Sequence, residues 1–81
     1  MTTKQRLKHG NSFPLDAPDS WWESTGDNPP LPIDKAHATA RGVIAELQDR
    51  RGIKNGFDNL DEDIRKEIVE KLADIIRQGM K

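Results

Sequence analysis

The sequence predicts an all-α protein: a helical hairpin with an extended, proline-rich N-terminal arm folded across it. Two segments, about residues 35–51 and 62–78, repeat their apolar residues with the period of an α-helix. All five prolines precede residue 34, in a third of the chain that sustains no such period. Because none of the 81 residues is a cysteine, packing alone has to hold this small fold together.

Residues 1–33 are expected to form the extended arm, with about the first dozen residues mobile. Each proline steers the residue before it toward extended backbone. The arm carries both tryptophans, Trp21 and Trp22, side by side. Neighbouring side chains of an extended segment point in opposite directions, so one indole can pack on the helices while the other faces a partner.

The first helix is expected to begin after Asp34, a good N-cap residue, and to end at Arg51, before a left-handed Gly52. One stripe of this helix is expected to face the core: Ala36, Ala40, Val43, Ile44 and Leu47. The opposite stripe has small residues: Ala38, Gly42 and Ala45. Glycine inside a helix costs about 1 kcal/mol relative to alanine, so close approach by another element, such as the Trp pair, is expected at Gly42.

Residues 52–60 contain an Asn55-Gly56 turn and room for one short helical turn, and Asp61 is expected to cap the second helix. The apolar residues of that helix sweep roughly 180°, more than one antiparallel neighbour covers. We therefore expect the Trp pair, a second copy of the chain, or both to cover the remainder. In this interpretation residues 34–81 are the hairpin domain, and a homodimer gives a four-helix arrangement.

The polar side of the second helix is expected to carry a line of carboxylates, the acidic strip: Asp63, Glu67, Glu70 and Asp74. Such a strip can guide a cationic partner surface, raising the association rate more than the affinity. The alternative is a solvated face that Lys66 and Lys71 partly balance. No histidine joins the strip, so a metal site is not expected there.

A basic cluster of Arg50, Arg51 and Lys54 surrounds Gly52, where a glycine turn can present backbone N–H groups to phosphate. The alternative is that these cations complement the negative end of the helix dipole. The stretch G-I-K-N-G is not a phosphate loop. The net charge of −1 is also far from that of typical nucleic-acid-binding domains. Nucleic-acid or nucleotide binding is therefore the second hypothesis, behind protein binding.

The residue types needed for catalysis are largely missing. The chain has no cysteine or tyrosine, and His9 and His37 lack metal-ligand spacing. We expect no enzyme, no cofactor and no metal site. The chain has neither an apolar leader nor a run of about 18 apolar residues, so a cytoplasmic protein without a membrane span is expected.

Three stretches carry a resemblance: W-W-E, A-R-G-V-I-A-E-L and R-R-G-I-K-N-G-F-D-N-L-D-E-D-I-R-K-E-I-V. Over about residues 20–78 the chain resembles small uncharacterised proteins of bacteriophages and prophages. The resemblance assigns no role to any residue, and it implies a protein that binds a host or defence protein or regulates phage development. We expect a non-enzymatic interaction protein, such as an inhibitor or modulator of a host protein, using the acidic strip and an exposed Trp. A structural subunit of a larger assembly is the third hypothesis.

Overall fold

The computed structural model describes residues 2–24, 28–50 and 52–81 of the chain. Within these ranges the fold is all-α, as predicted, and holds no strand. The helices described follow one another as α1 (Thr3–Ser12), α2 (Asp19–Glu23), α3 (Lys35–Gln48), α4 (Lys54–Asp58) and α5 (Glu62–Gly79). α3 is the central helix, because both α1 and α5 pack against it.

The two long helices, α3 and α5, lie where the periodicity predicts them. Asp34 caps α3, and its carboxylate accepts a hydrogen bond of 2.8 Å from the N–H of His37. α3 ends at Gln48, earlier than the predicted end at Arg51, a residue that lies outside the described ranges. Gly52 has the left-handed backbone expected of it, with φ at 83°. The short helical turn predicted between the two long helices is α4.

The N-terminal third departs from the extended arm that its prolines predict, since residues 3–12 form the helix α1. A capping box starts this helix: Thr2 Oγ1 accepts from the N–H of Gln5 at 3.1 Å, and Gln5 Oε1 accepts from the N–H of Thr2 at 2.7 Å. Two orphan N–H groups are thereby satisfied. The prediction of extended backbone was wrong for this segment, because its local hydrogen bonds and its packing on α3 favour a helix.

The tryptophans also lie in helical rather than extended backbone, in the short helix α2. Their rings stand edge to face with centroids 4.8 Å apart, so the two side chains do not point in opposite directions. Trp21 is half-buried, and Trp22 is 41% exposed. Residues 25–27 of the predicted arm lie outside the described ranges.

Two glycines bring the backbones of α1 and α3 almost into contact. A Cβ atom on Gly10 would lie 2.2 Å from the carbonyl oxygen of Arg41, and one on Gly42 would lie 3.0 Å from the Cα of Leu7. Asn11 adds a hydrogen bond across the crossing, from its Nδ2 to the carbonyl oxygen of Ala38 at 3.1 Å. The close approach predicted at Gly42 is confirmed, but α1 makes it and not the Trp pair.

The core lies between α3 and α5, and one residue of the N-terminal third closes it. Its buried members are Leu15, Ala40, Ile44, Val69 and Ala73, with Phe57, Ile68, Leu72 and Ile76 packed around them. Val43, predicted to face the core, is 42% exposed. It lies with Leu7 along a groove between α1 and α3, because the core face of α3 is centred on Ala40 and Ile44.

Candidate functional site

Three polar side chains form a buried cluster: His37 and Arg41 of α3, and Asp16 of the segment between α1 and α2. Arg41 is 2% exposed and His37 is 6% exposed. The Arg41 guanidinium donates to both oxygens of Asp16, at 2.9 Å from Nε to Oδ1 and 3.3 Å from Nη2 to Oδ2. The Nε2 atom of His37 lies 2.8 Å from Oδ2 of the same carboxylate. One carboxylate therefore serves two buried side chains.

The hydrogen bonds of this cluster fix the orientation of His37. Its Nδ1 accepts from the N–H of Ile33 at 2.9 Å, so the neutral ring carries its proton on Nε2 and donates it to Asp16. Burial raises the pKa of Asp16, but the hydrogen bonds from Arg41 and His37 outweigh it and hold the pKa below the ordinary 3.8. With both ring nitrogens engaged and the ring buried, His37 is placed to hold the fold rather than to bind a substrate.

The buried cluster holds the proline-rich segment 28–34 through its backbone. Arg41 Nη1 donates to the carbonyl oxygen of Pro30 at 2.7 Å, and the N–H of Ile33 is bonded to His37. The side chains of Leu31 and Ile33 face solvent, at 88% and 81% exposure. The segment is thus fixed by its polar backbone atoms and not by burial of its apolar side chains.

α5 presents an exposed apolar surface, the α5 strip, formed by Ile64, Ile68, Leu72 and Ile75. Ile64 is 45% exposed and Ile75 is 65% exposed. The four residues line a shallow groove of about 330 Å³ together with Glu67 and Lys71. The excess apolar arc predicted for this helix is therefore present. Ile64 and Ile75 stay in contact with solvent, although the sequence predicts that the Trp pair or a second copy covers them.

The acidic strip lies along the same helix, and all four of its carboxylates are exposed, as the sequence predicts. Asp63, Glu67 and Glu70 make no ion pair with any residue in the described ranges. Asp74 pairs with Arg77 at 2.6 Å. These three carboxylates form a negative edge beside the apolar strip of α5, and Lys71 is the cation that lines the groove with Glu67.

Arg77 also joins the end of α5 to the start of α3. Its Nε and Nη2 donate to the two carboxylate oxygens of Asp34 at 2.9 and 3.0 Å. This hydrogen-bonded contact, followed by the bond from the N–H of His37, lowers the pKa of Asp34 to about 2. The Asp34 carboxylate is therefore both a helix cap and an interhelical contact.

A second concave surface, the Trp22 cleft, has a volume of about 530 Å³. α1 contributes Arg6 and His9 to its lining, and Phe13 follows directly after α1. α2 contributes Trp22, Arg50 follows α3, and Lys54 begins α4. Two members of the predicted basic cluster thus lie beside one of the predicted tryptophans. Arg51, the third member, lies outside the described residues.

The residues predicted to form one partner-binding surface occupy two places in the fold. Trp22 lines the cleft with Arg50 and Lys54, whereas Glu67 lies in the groove on α5. The structure also adds Arg6, His9 and Phe13 to the cleft, which the sequence did not indicate. These residues recur at spacings of three and four, which is a helical spacing, but the prolines that follow predict extended backbone for the segment.

Comparison with known proteins adds no family to this description. No family model matches the chain, and no similar protein was found among curated proteins or solved structures. Within residues 2–24, 28–50 and 52–81, no group of three or more His, Asp or Glu side chains is placed to hold a metal ion. None of the helices in the described part of the chain is both long and apolar enough to cross a membrane.

Proposed function

We propose that this protein is a non-enzymatic binding module whose α5 face takes up a cationic, amphipathic helix of a partner protein. The observation that carries the proposal is the α5 strip, with Ile75 65% exposed beside a row of unpaired carboxylates. An apolar surface of this kind, rimmed by charge, is typical of an interaction site. A partner helix with apolar residues at helical spacing and lysine or arginine alongside them complements both features.

The apolar part of the α5 face supports affinity. Fully burying an isoleucine side chain contributes about 1.5–3 kcal/mol, and the 45% and 65% exposure of Ile64 and Ile75 leaves roughly half of that still to be gained at each position. The shallow groove between them gives a partner side chain a place to insert. The strip alone therefore supplies a few kcal/mol before the losses of association.

The charged part of the face supports selectivity and orientation. Asp63, Glu67 and Glu70 are exposed and make no ion pair within the described ranges, so their carboxylates are accessible to a cationic partner, with Lys71 as the one cation that lines the same groove as Glu67. Exposed charges of this kind change association rates and reject partners of like charge more than they strengthen the complex. A basic partner is thus favoured over an acidic one that carries the same apolar face.

A second copy of the chain is the other occupant of the α5 face, and a homodimer stays a prediction. Pairing two α5 helices in antiparallel orientation would bury Ile64 and Ile75 of both copies. It would also place two acidic strips next to each other, which is unfavourable. We therefore place a cationic partner first. Light scattering separates the two arrangements. If the protein is a dimer and Ile75→Asp dissociates it, the α5 strip mediates self-association, in a homodimer or in a larger assembly.

The experiment uses two synthetic helical peptides with the same leucine face, one otherwise built from lysine and one from glutamate. We expect the lysine peptide to bind and the glutamate peptide to bind far more weakly. Ile64→Ser with Ile75→Ser should weaken binding roughly tenfold or more, from the lost apolar contact. Glu67→Lys with Glu70→Lys should reduce the preference between the two peptides.

The matched control is Leu31→Ser with Ile33→Ser, which makes the same kind of change at two exposed positions that do not line the groove on α5. This variant should bind the lysine peptide like the unmodified protein. Equal binding of both peptides, or binding that the α5 substitutions leave unchanged, would refute the proposed surface. The resemblance to phage proteins suggests a host or defence protein as the natural partner, whose activity the module would inhibit or modulate.

A further inference from the structure

Three aromatic rings line the Trp22 cleft: His9, Phe13 and Trp22. Phe13 is 50% exposed and Trp22 is 41% exposed, so both present ring surface to solvent. His9 lies against Phe13, with ring centroids 5.0 Å apart. Trp22 is itself supported edge to face by Trp21. These exposed rings are thus held in place by neighbouring rings, as a surface on which a flat ligand can stack.

The lining of the cleft also contains charged residues: the cations Arg6, Arg50 and Lys54, and the carboxylate of Asp49. Lys54 is exposed and makes no ion pair with any residue in the described ranges. Arg50 forms an ion pair with Glu46, at 2.6 Å from Nη2 to Oε1, yet the Arg50 side chain is 64% exposed. Arg6 is already neutralised by Glu46 and Asp49, so it mainly shapes the wall. Lys54 and Arg50 are therefore the cations that an incoming anion would meet.

Gly52, which also lines the cleft, permits close approach of a ligand to its backbone. Gly52 adopts a φ of 83°, and apart from its chain neighbours no atom of the described residues would lie within 4 Å of a Cβ placed on it. A cleft of about 530 Å³ is in the usual range of small-ligand sites, roughly 300–1,000 Å³. It is large enough for a single nucleotide and too small to hold a folded partner.

We propose that the Trp22 cleft binds an aromatic base joined to a phosphate, the base stacking on Trp22 and Phe13 and the phosphate meeting Lys54 and Arg50. An acidic peptide would use the cations and leave the exposed rings without a role. A purely apolar ligand would use the rings and leave the cations without one. A nucleotide unit matches both, whether it is free or part of a single strand.

The test is a titration at low salt that follows quenching of tryptophan fluorescence. The ligands are AMP, a 12-mer of oligo(dT), the same 12-mer as a duplex, and inorganic phosphate. We expect AMP or the single strand to quench the fluorescence, and inorganic phosphate to have little effect. Preference for AMP identifies a nucleotide site, and preference for oligo(dT) identifies a single-stranded nucleic-acid site.

Two variants test the stacking ring and the phosphate-binding cation separately, and calorimetry measures how tightly each variant binds the ligand. Trp22→Ala should weaken binding roughly 5- to 150-fold, the range expected for the loss of one stacked base, and Trp22→Phe should restore part of it. Lys54→Ala should reduce the dependence of log K on log salt by about 0.7 for a single strand. Because Lys54 is exposed, this variant is expected to fold normally.

The matched control for charge is Lys71→Ala, which removes an exposed cation from the groove on α5 instead. It should leave nucleotide binding unchanged. The site is overturned if neither AMP nor the single strand binds at low salt, or if the duplex binds equally and Trp22→Ala has no effect. Since no residue of the α5 strip lines the cleft, failure of the α5 proposal leaves this test intact.

Discussion

Gly10 is the position where one added methyl group should do the most damage to the fold. A Cβ there would lie 2.2 Å from the carbonyl oxygen of Arg41, 2.5 Å from its carbonyl carbon and 2.8 Å from the nitrogen of Gly42. Ordinary contact begins near 3.4 Å, so α1 would have to move away from α3 by about 1.2 Å at this point. All three clashing atoms belong to backbone, so no side-chain rotation relieves the overlap.

The expected loss follows from two opposing effects in Gly10→Ala. Overpacking costs about 1–3 kcal/mol, and contact with rigid backbone places this case at the upper end. Replacing a glycine inside a helix by alanine returns about 0.5–1 kcal/mol. The net destabilisation is therefore about 2 kcal/mol, which corresponds to a melting temperature lower by roughly 8–16 °C for a domain of this size.

Thermal unfolding followed by circular dichroism measures the effect, and hydrogen exchange of the α1 amides shows whether α1 detaches first. Gly79→Ala is the matched control, because among the described residues no atom outside its own helical turn would lie within 4 Å of a Cβ at that position. It should be neutral or slightly stabilising. If Gly10→Ala melts within about 2 °C of the unmodified protein and protects α1 equally well, the close helix crossing is refuted.

Three further outcomes are expected. Arg41→Ala should destabilise the protein by about 3–5 kcal/mol in urea unfolding, because it leaves the buried Asp16 carboxylate without its main partner; a loss below about 1 kcal/mol would contradict this. Asp34→Ala should lower the melting temperature more than Asp34→Asn, which keeps the helix cap, and equal losses would assign the effect to Arg77 alone. Stability should fall on acidification below about pH 4, because the pKa values of Asp16 and Asp34 in the folded protein lie below 3.8 and protonation weakens the contacts of both carboxylates. A flat profile of stability down to pH 2 would exclude this linkage.

The two long helices were predictable because several local signals agree on each. Asp34 caps α3 as expected, and the apolar period of α5 survives in the core contacts of Val69 and Ala73. Gly42, in the small-residue stripe, also correctly predicts the close approach of another element, which is α1. These features depend on residues near one another in the chain, so a single sequence contains them.

The sequence pattern does not predict α1, although Thr2 and Gln5 have the spacing of a capping box. Gly10, Asn11 and Ser12 are weak helix formers, and the segment has one strongly apolar residue, Leu7. Its helix depends on the crossing with α3, where glycine is an advantage because of its size. That benefit comes from tertiary contact, which local propensity does not record.

The Trp22 cleft could not be assembled from the sequence for the same reason. The sequence indicates the basic cluster and the Trp pair separately. Whether they line the same cleft depends on where α1 and α2 lie relative to the end of α3. An extended N-terminal segment gives Phe13 and His9 no defined position, whereas α1 fixes His9 in the cleft and Phe13 directly after it. Arg41 was likewise unremarkable in the sequence, because burial of its guanidinium requires Asp16 from 25 residues away.

The carboxylate of Asp16 makes the N-terminal third and the helical pair interdependent. Peeling residues 13–18 away would strip Arg41 and His37 of their shared acceptor and open the core at Leu15 in the same motion. Release of the proline-rich segment would follow, since those two side chains also hold Pro30 and Ile33. A chain without cysteine thus gains a single noncovalent cross-link among three stretches of sequence, and we expect it to melt in one transition, without a separately unfolding arm.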